Sequence, residues 1–343
     1  MKKIMILNLL ISTLYSQIIW GPEKRINPDS IFPMHPRAAV WKDTIHVVFY
    51  KSGGTPSEYD IIYMRSTDKG ETWEGPINLT INDPDDAVLP WITCWGKKVH
   101  VVYQCGYGDS VMYIRSLDGG NNWEVPKKLI KPAGLPKIVC IKDTIFVISP
   151  APGFNNKFYF LRSFNGGDTW VTEIIDSVYY GKPRLGLNKN FLHIIFEQVD
   201  TKTEVYYRRS PDLGNTWEGP FLISPLDNWS SVLPSLAVSD SNVYILWMEG
   251  MYCSFGAWFN VNLRKSNDNG NNFSDRQILS NLCRSFENDI YARDSIVVIV
   301  YTDERHNPGQ SDFEIYWRAS YDYGNTWTDE ERLSFITGNS MWP

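Results

Sequence analysis

The eight-residue phrase Ser-x-Asp-x-Gly-x-x-Trp occurs six times in this chain, beginning at Ser66, Ser116, Ser163, Ser210, Ser266 and Ser320. Successive copies stand 47 to 56 residues apart, and two positions drift: Asn165 replaces Asp in the third copy and Phe273 replaces Trp in the fifth. A period of that length marks an array of one small unit that cannot bury its own faces, as in solenoids and propellers. Each phrase follows an alternating run such as Ile61-Ile62-Tyr63-Met64-Arg65 and precedes a short one such as Pro76-Ile77-Asn78-Leu79, so it joins two antiparallel strands. Its residues have the chemistry of a turn. The hydroxyl and carboxylate bond nearby amides, the glycine takes a positive φ, and the indole packs beneath. Six copies cannot share one catalytic pocket, so the phrase is scaffold.

Fourteen Trp, nineteen Tyr and sixteen Phe, with Gly and Pro between the runs, make a chain of strands and turns without helical periods. Four antiparallel strands per unit close best as a radial ring with each first strand on the axis. The expected fold is all-β, a six-bladed β-propeller of four-stranded antiparallel blades, in one domain over residues 17–343 with boxes at 66–73, 116–123, 163–170, 210–217, 266–273 and 320–327. Loops before the first strand and between the second and third then share one face, opposite the boxes, and function belongs on that box-free face. The ends leave a second closure open. Residues 20–26 repeat the pattern of 73–79, and Met341-Trp342-Pro343 repeats Val88-Leu89-Pro90, as in an incomplete seven-bladed propeller.

The net charge of −6, with no basic run, gives nothing that would follow a phosphate backbone, so nucleic acid is excluded as an expected partner. Residues 1–16 carry Lys2-Lys3, an apolar run from Ile4 to Leu14 and Tyr15-Ser16, the layout of a signal peptide cleaved before Gln17. The run is too short to span a bilayer and none later is longer, so a secreted or cell-surface protein is expected. Five cysteines leave at least one unpaired. Cys94 and Cys140 share one repeat position inside a strand, whereas Cys253 and Cys283 fall in loops where a disulfide is open to them. Five histidines without a His-x-x-x-His or Cys-x-x-Cys pair give no basis for zinc, and the charges of Asp303-Glu304-Arg305-His306 and Asp312 are expected to pair with one another. No metal or cofactor is expected.

Laying the units in register separates scaffold from site. Eight residues before the second-strand marks Ile45, Val99, Ile145, Leu192, Val243 and Ile296 stand Arg37, Trp91, Lys137, Arg184, Ser235 and Asn288, five of them directly after a proline. Just past the second strands stand Lys51, Cys105, Ala151, Gln198, Glu249 and Asp303. The apolar packing is constant while these positions vary, which makes Lys137, Trp91, Glu249 and Asp303 candidate ligand-binding residues. Trp229 and Trp258 join them as flat platforms for sugar rings, among the aromatics Tyr107, Phe154, Tyr180, Tyr252 and Phe259 on the same face.

The phrase in successive units resembles the Asp-box, or bacterial neuraminidase, repeat of the sialidase-like propellers, and the resemblance covers almost the whole chain. Sialidases of that family grip the substrate carboxylate with three arginines and use an aspartate acid/base and a tyrosine nucleophile polarised by a glutamate. The resemblance makes Arg37, Arg184, Glu197 and Asp86 the catalytic candidates. The family's first arginine lies in a Tyr/Phe-Arg-Ile-Pro phrase, whereas here Arg37 follows the proline of His35-Pro36. The fifth unit offers only Arg264 beside its box, Tyr291 is not placed as a nucleophile, and Arg65, Arg115, Arg162, Arg208 or Arg209, and Arg318 recur beside the boxes as scaffold. The box is shared by sialidases, other glycosidases and binding propellers without catalysis. The expected function is an exported propeller that binds glycans or extracellular polymers through its box-free face. The alternatives are an exo-acting sialidase and a structural module of a larger surface assembly.

Overall fold

The alternating runs form six four-stranded antiparallel sheets, each a meander in chain order, and no helix among the described residues is long and apolar enough to cross a membrane. The fold is a six-bladed β-propeller. The computed structural model describes residues 18, 20, 21, 24–28, 31–52, 59–83, 85–106, 108–151, 157–176, 183–199, 201–253, 256–280, 285–305 and 313–335. Blades one to three lie in one compact unit, Gly21–Val178, and blades four to six in a second, Tyr179–Pro343 with Leu7–Trp20. The signal-peptide residues fall outside the described residues.

Every box is a hydrogen-bonded turn. In the first, Ser66 Oγ accepts the Gly70 amide at 2.8 Å, Asp68 Oδ1 accepts the Thr72 amide at 2.9 Å, and Trp73 Nε1 donates to Gly70 O at 3.1 Å. The serine–glycine bond recurs at 2.7–2.9 Å in the other five. The two drifted positions keep their function: the amide oxygen of Asn165 accepts the Thr169 amide at 3.0 Å, and Phe273 packs edge-on against Tyr207 as the indoles do elsewhere. In each blade the box also donates a backbone amide to the hairpin between the first two strands, as Lys69 does to Asp43 O at 2.9 Å. This bond puts boxes and first hairpins at one end of the blade, so the loops between second and third strands lie at the other.

Beneath the boxes the blades interlock through a second repeat. His46, His100 and His193 occupy one position in the second strands, and each Nδ1 meets a tyrosine hydroxyl, Tyr63, Tyr113 and Tyr207, at 2.6–2.8 Å. Those hydroxyls press on the box glycine of the next blade. A Cβ on Gly120, Gly167 or Gly270 would lie 1.8–2.1 Å from the tyrosine oxygen, so only glycine fits. Blade three replaces both partners together with the stacked pair Phe146–Phe160. Burial, with Arg65, Arg115 and Arg209 nearby, lowers the histidines to about 4, 3 and 3, so the rings are neutral at physiological pH.

The arginines beside the boxes sort into two series. Arg65, Arg115 and Arg209 reach across to the next box, where Gly119 O, Gly166 O and Asn269 O accept, and Lys265 does the same at Tyr323 O. Arg162, in the same series, pairs with Glu173. Arg208, Arg264 and Arg318 stand one residue earlier, on the opposite face of the third strand, and Arg318 donates to Thr328 O and Leu279 O.

Two details refine the sequence reading. Box serines Ser66, Ser116, Ser163, Ser210 and Ser266 face Ile45, Val99, Ile145, Leu192 and Val243, but Ser320 faces Val297 instead of Ile296. The sixth blade therefore runs one residue later, and Asp289, opposite Val300, takes the first-strand position that the count gave to Asn288. The likeness of residues 20–26 to 73–79 also has a structural meaning. Trp20 sits edge-on against Trp317 with centroids 5.0 Å apart, as the box indole Trp123 sits against Tyr63 at 4.8 Å. Lys24 donates to Gly70 O at 3.2 Å, the role of the box-crossing arginines.

Candidate functional site

The variable first-strand positions lie where the backbone is bent. His35, Leu89, Leu135 and Leu233, each directly before a proline, have φ between 48° and 54°. In blades one, two and five the strand register slips beside them. Left-handed backbone at a non-glycine residue costs about 1–2 kcal/mol, and a bulge re-aims the side chain that follows. Those side chains are Arg37, Trp91, Lys137 and Ser235, each held at one rung, opposite Val48, Val102, Ile148 and Leu246. Arg184 occupies the same rung opposite Ile195.

In the first three-blade unit the rung gathers into one cluster. Trp91, in the middle blade, receives the Arg37 guanidinium at 4.6 Å and the Lys137 ammonium at 4.4 Å from its ring centroid, one from each neighbouring blade. Each cation also donates to the carbonyl of the proline before it, Arg37 Nη1 to Pro36 O at 3.1 Å and Lys137 Nζ to Pro136 O at 3.3 Å. Arg37 and Trp91 are half-buried and Lys137 is 7% exposed. Contacts of a cation with an indole face are worth about 0.5–2 kcal/mol each. The two charges stand no more than about 9 Å apart, so they repel by at least about 0.5 kcal/mol at an effective dielectric of 80 and at least about 2 kcal/mol at 20.

The second unit builds its rung differently. Ser235 is buried and donates to Asn288 O at 2.9 Å, and Asn288 Nδ2 donates to Leu233 O at 2.9 Å, so the neighbours close on themselves.

The other candidates are engaged in the frame, within a blade or between neighbouring blades. Asp86 accepts the Tyr59 amide at 3.2 Å, tying the first blade's third strand to the start of the second blade. Glu197 accepts the Leu233 amide at 2.6 Å, as Gln104 accepts the equivalent Leu135 amide at 3.2 Å. Glu249 accepts from Trp247 Nε1 at 2.8 Å and Ser231 Oγ at 3.2 Å and is paired with Arg276. Asp303, wholly buried, accepts from Ser285 Oγ at 3.2 Å and holds Arg305, whose other partner is Glu330. Glu249 and Asp303 are therefore the same device in consecutive blades. The signal for it was legible, because each acid stands 18 residues after its serine.

Trp229 is half-buried beside Phe259, and Gly250 lies against both rings. The side chains of Trp258, Tyr252 and Cys253, together with Tyr107, Phe154, Tyr180, Cys283, His306, Asp312 and residues 341–343, lie outside the described residues. Cys94, Cys105 and Cys140 are free thiols.

No protein-family model matches this sequence, and no curated protein matches it. Solved structures do. An ulvan lyase, a polysaccharide lyase bound to GlcA(1-4)Rha3S, aligns with a TM-score of 0.61 at 12% identity, over 87% of this chain and 82% of the lyase. The NanB sialidase of Streptococcus pneumoniae aligns at 0.59 and 9% identity, over 84% of this chain and 72% of the sialidase. Trypanosoma rangeli sialidase aligns at 0.53 and 12% identity, over 84% of this chain and 54% of its own. The fold is that of the sialidase-like propellers. At these identities the likeness reaches the arrangement of strands and stops short of the chemistry.

Proposed function

We propose that this chain is an exported glycan-binding propeller that takes acidic sugars, those carrying carboxylate or sulfate, at the Arg37–Trp91–Lys137 cluster. The observation that carries this reading is the convergence of two cations from neighbouring blades on one half-buried indole. A planar guanidinium fork suits a carboxylate or sulfate, the ammonium adds a point charge, and the indole holds the two cations side by side. The solved structures of like fold include a lyase bound to a sugar that contains GlcA and Rha3S, which is consistent with a fold suited to such ligands.

Calorimetric titration with oligogalacturonates and with their methyl esters tests it, because the two differ in charge and share a backbone. Binding of the acids is expected to exceed that of the esters, to weaken with salt, and to fall about ten-fold with Arg37→Ala or Lys137→Ala. Equal binding of acid and ester, or acid binding untouched by both substitutions, overturns the reading. A fluorogenic sialoside assay checks for hydrolysis in the same preparation, and turnover abolished by Arg37→Ala would move the assignment from binding to catalysis.

A further inference from the structure

The first strands end in two-residue hairpins, and there the two units part again. In the second unit the last residue before the hairpin is tied to the next blade: Asn188 Nδ2 donates to Asp240 O at 2.5 Å, and Ser239 Oγ accepts the Asp294 amide at 2.9 Å. In the first unit the same position holds Trp41, Trp95 and Ile141, opposite Thr44, Lys98 and Thr144. Trp41 and Trp95, both half-buried, meet with ring centroids 4.6 Å apart and planes tilted by 49°. Neither indole nitrogen has a hydrogen-bond partner among the described residues, and neither is buried, whereas Trp73 and Trp170 donate theirs to a carbonyl of their own box.

The turns beyond those strands add positive charge. Gly96 takes a left-handed backbone at φ 61°, the conformation that favours glycine, yet blades one and three put Lys42 and Lys142 there at 54°. Lys97 follows Gly96. The acids of the same hairpins are matched, Asp43 with Lys69 at 3.5 Å and Asp143 with Lys98, a pair that also ties the second blade's hairpin to the third's. Lys42, Lys97 and Lys142 are exposed and have no partner among the described residues. In the second unit the left-handed turn residues are Lys189, Asp240 and Asp294, so the charges there are mixed.

We infer that Trp41, Trp95, Lys42, Lys97 and Lys142 form a second anion site, which takes the sulfate or carboxylate groups of an acidic polysaccharide at the box end of the first unit. Every polar group these side chains offer is a donor, two indole N–H groups and three ammoniums, and none is an acceptor. Four residues of strand separate Trp41 from Arg37 and Trp95 from Trp91, about 13 Å, so the site is distinct from the rung. Half-buried indoles beside exposed lysines favour a narrow chain over a flat membrane surface, which would reach the lysines alone. The polysaccharide as carrier rests on the glycan-binding reading, whereas the oxyanion follows from the donors themselves.

The test follows the indole N–H signals of isotope-labelled protein by NMR during titration with dextran sulfate. The signals of Trp41 and Trp95 are identified by their loss in Trp41→Phe and Trp95→Phe. Both are expected to shift, in the wild type and in Arg37→Ala alike, and uncharged dextran should leave them in place. Read at these two signals, Lys42→Gln, Lys97→Gln and Lys142→Gln together should weaken binding about ten-fold, against less than about two-fold for Lys127→Gln, Lys128→Gln and Lys131→Gln in and beside the outer strand of blade two. Signals that stay in place overturn the inference, whether or not dextran sulfate binds elsewhere. Equal weakening by the two lysine triples also overturns it, because attraction would then follow net charge alone. Phosphatidylglycerol vesicles that bind through the first triple, with dextran sulfate leaving both indoles unmoved, would put a membrane in place of the polysaccharide. The rung reading fails separately, when oligogalacturonate binding ignores Arg37→Ala and Lys137→Ala.

Discussion

The box end of the blades and the first-strand rung obey opposite rules. At the box end the serine–glycine bond is written six times, and the drifted residues Asn165 and Phe273 keep the turn's amide bond and its edge-on ring packing. At the rung the side chains differ from blade to blade: Arg37, Trp91 and Lys137 form a charged aromatic cluster in one unit, whereas Arg184, Ser235 and Asp289 hold the same position in the other, where Ser235 donates to Asn288 O. Repetition therefore marks what the ring needs in order to stand. Departure from it marks the rung where the proposed ligand site falls.

The comparison breaks most easily at the box glycines. Gly270→Ala places a Cβ 1.8 Å from the Tyr207 hydroxyl and is expected to cost about 3–5 kcal/mol in urea unfolding. Gly70→Ala meets nothing nearer than 3.6 Å and should cost only the left-handed penalty of about 1–2 kcal/mol. Equal losses would show that the blades do not interlock through the tyrosines.

The histidines under the boxes give an acid signature that the rung lacks. Each is neutral in the folded chain down to about pH 3 or 4, whereas the unfolded chain takes its proton near 6.5. The unfolded state thus binds more protons between those values, so stability is whole above pH 6.5 and declines as pH falls toward 4. About 1–2 kcal/mol per histidine should be lost between pH 7 and pH 5. The double substitution His193→Phe with Tyr207→Phe copies the pair of blade three and should flatten the slope by about a third, as read from urea midpoints at the two pH values.

Effects at the rung should be smaller on stability and larger on binding. Trp91→Leu removes the shared face of two cation contacts and is expected to weaken oligogalacturonate binding about three- to ten-fold, with unfolding changed by about 1 kcal/mol. The mildest change is Asp68→Asn. Hydrogen bonds from Thr72 hold the Asp68 carboxyl at about 2, but Asn165 already makes the equivalent amide bond, so little or no loss is expected by thermal melting. A larger loss would mean that charge, and not shape, holds the turn.

The sequence by itself determined the strand order of the blades and the turn that closes each, while the choice between six blades and an incomplete seventh fell to the structure. Those features rest on bonds within eight contiguous residues or between adjacent strands, where spacing alone fixes what can meet. It also put Arg37, Trp91 and Lys137 in one register with Arg184, Ser235 and Asn288, because that register follows from a constant count. Tertiary structure decided what the count could not. The sixth blade runs one residue late and puts Asp289 on the rung, Asp86 and Glu197 are taken by backbone amides of other elements, and the acids Glu249 and Asp303 are claimed by Arg276 and Arg305. Each depends on which blades pack together and on bulges that shift a strand by a single residue, and a shift of one turns a side chain to the opposite face.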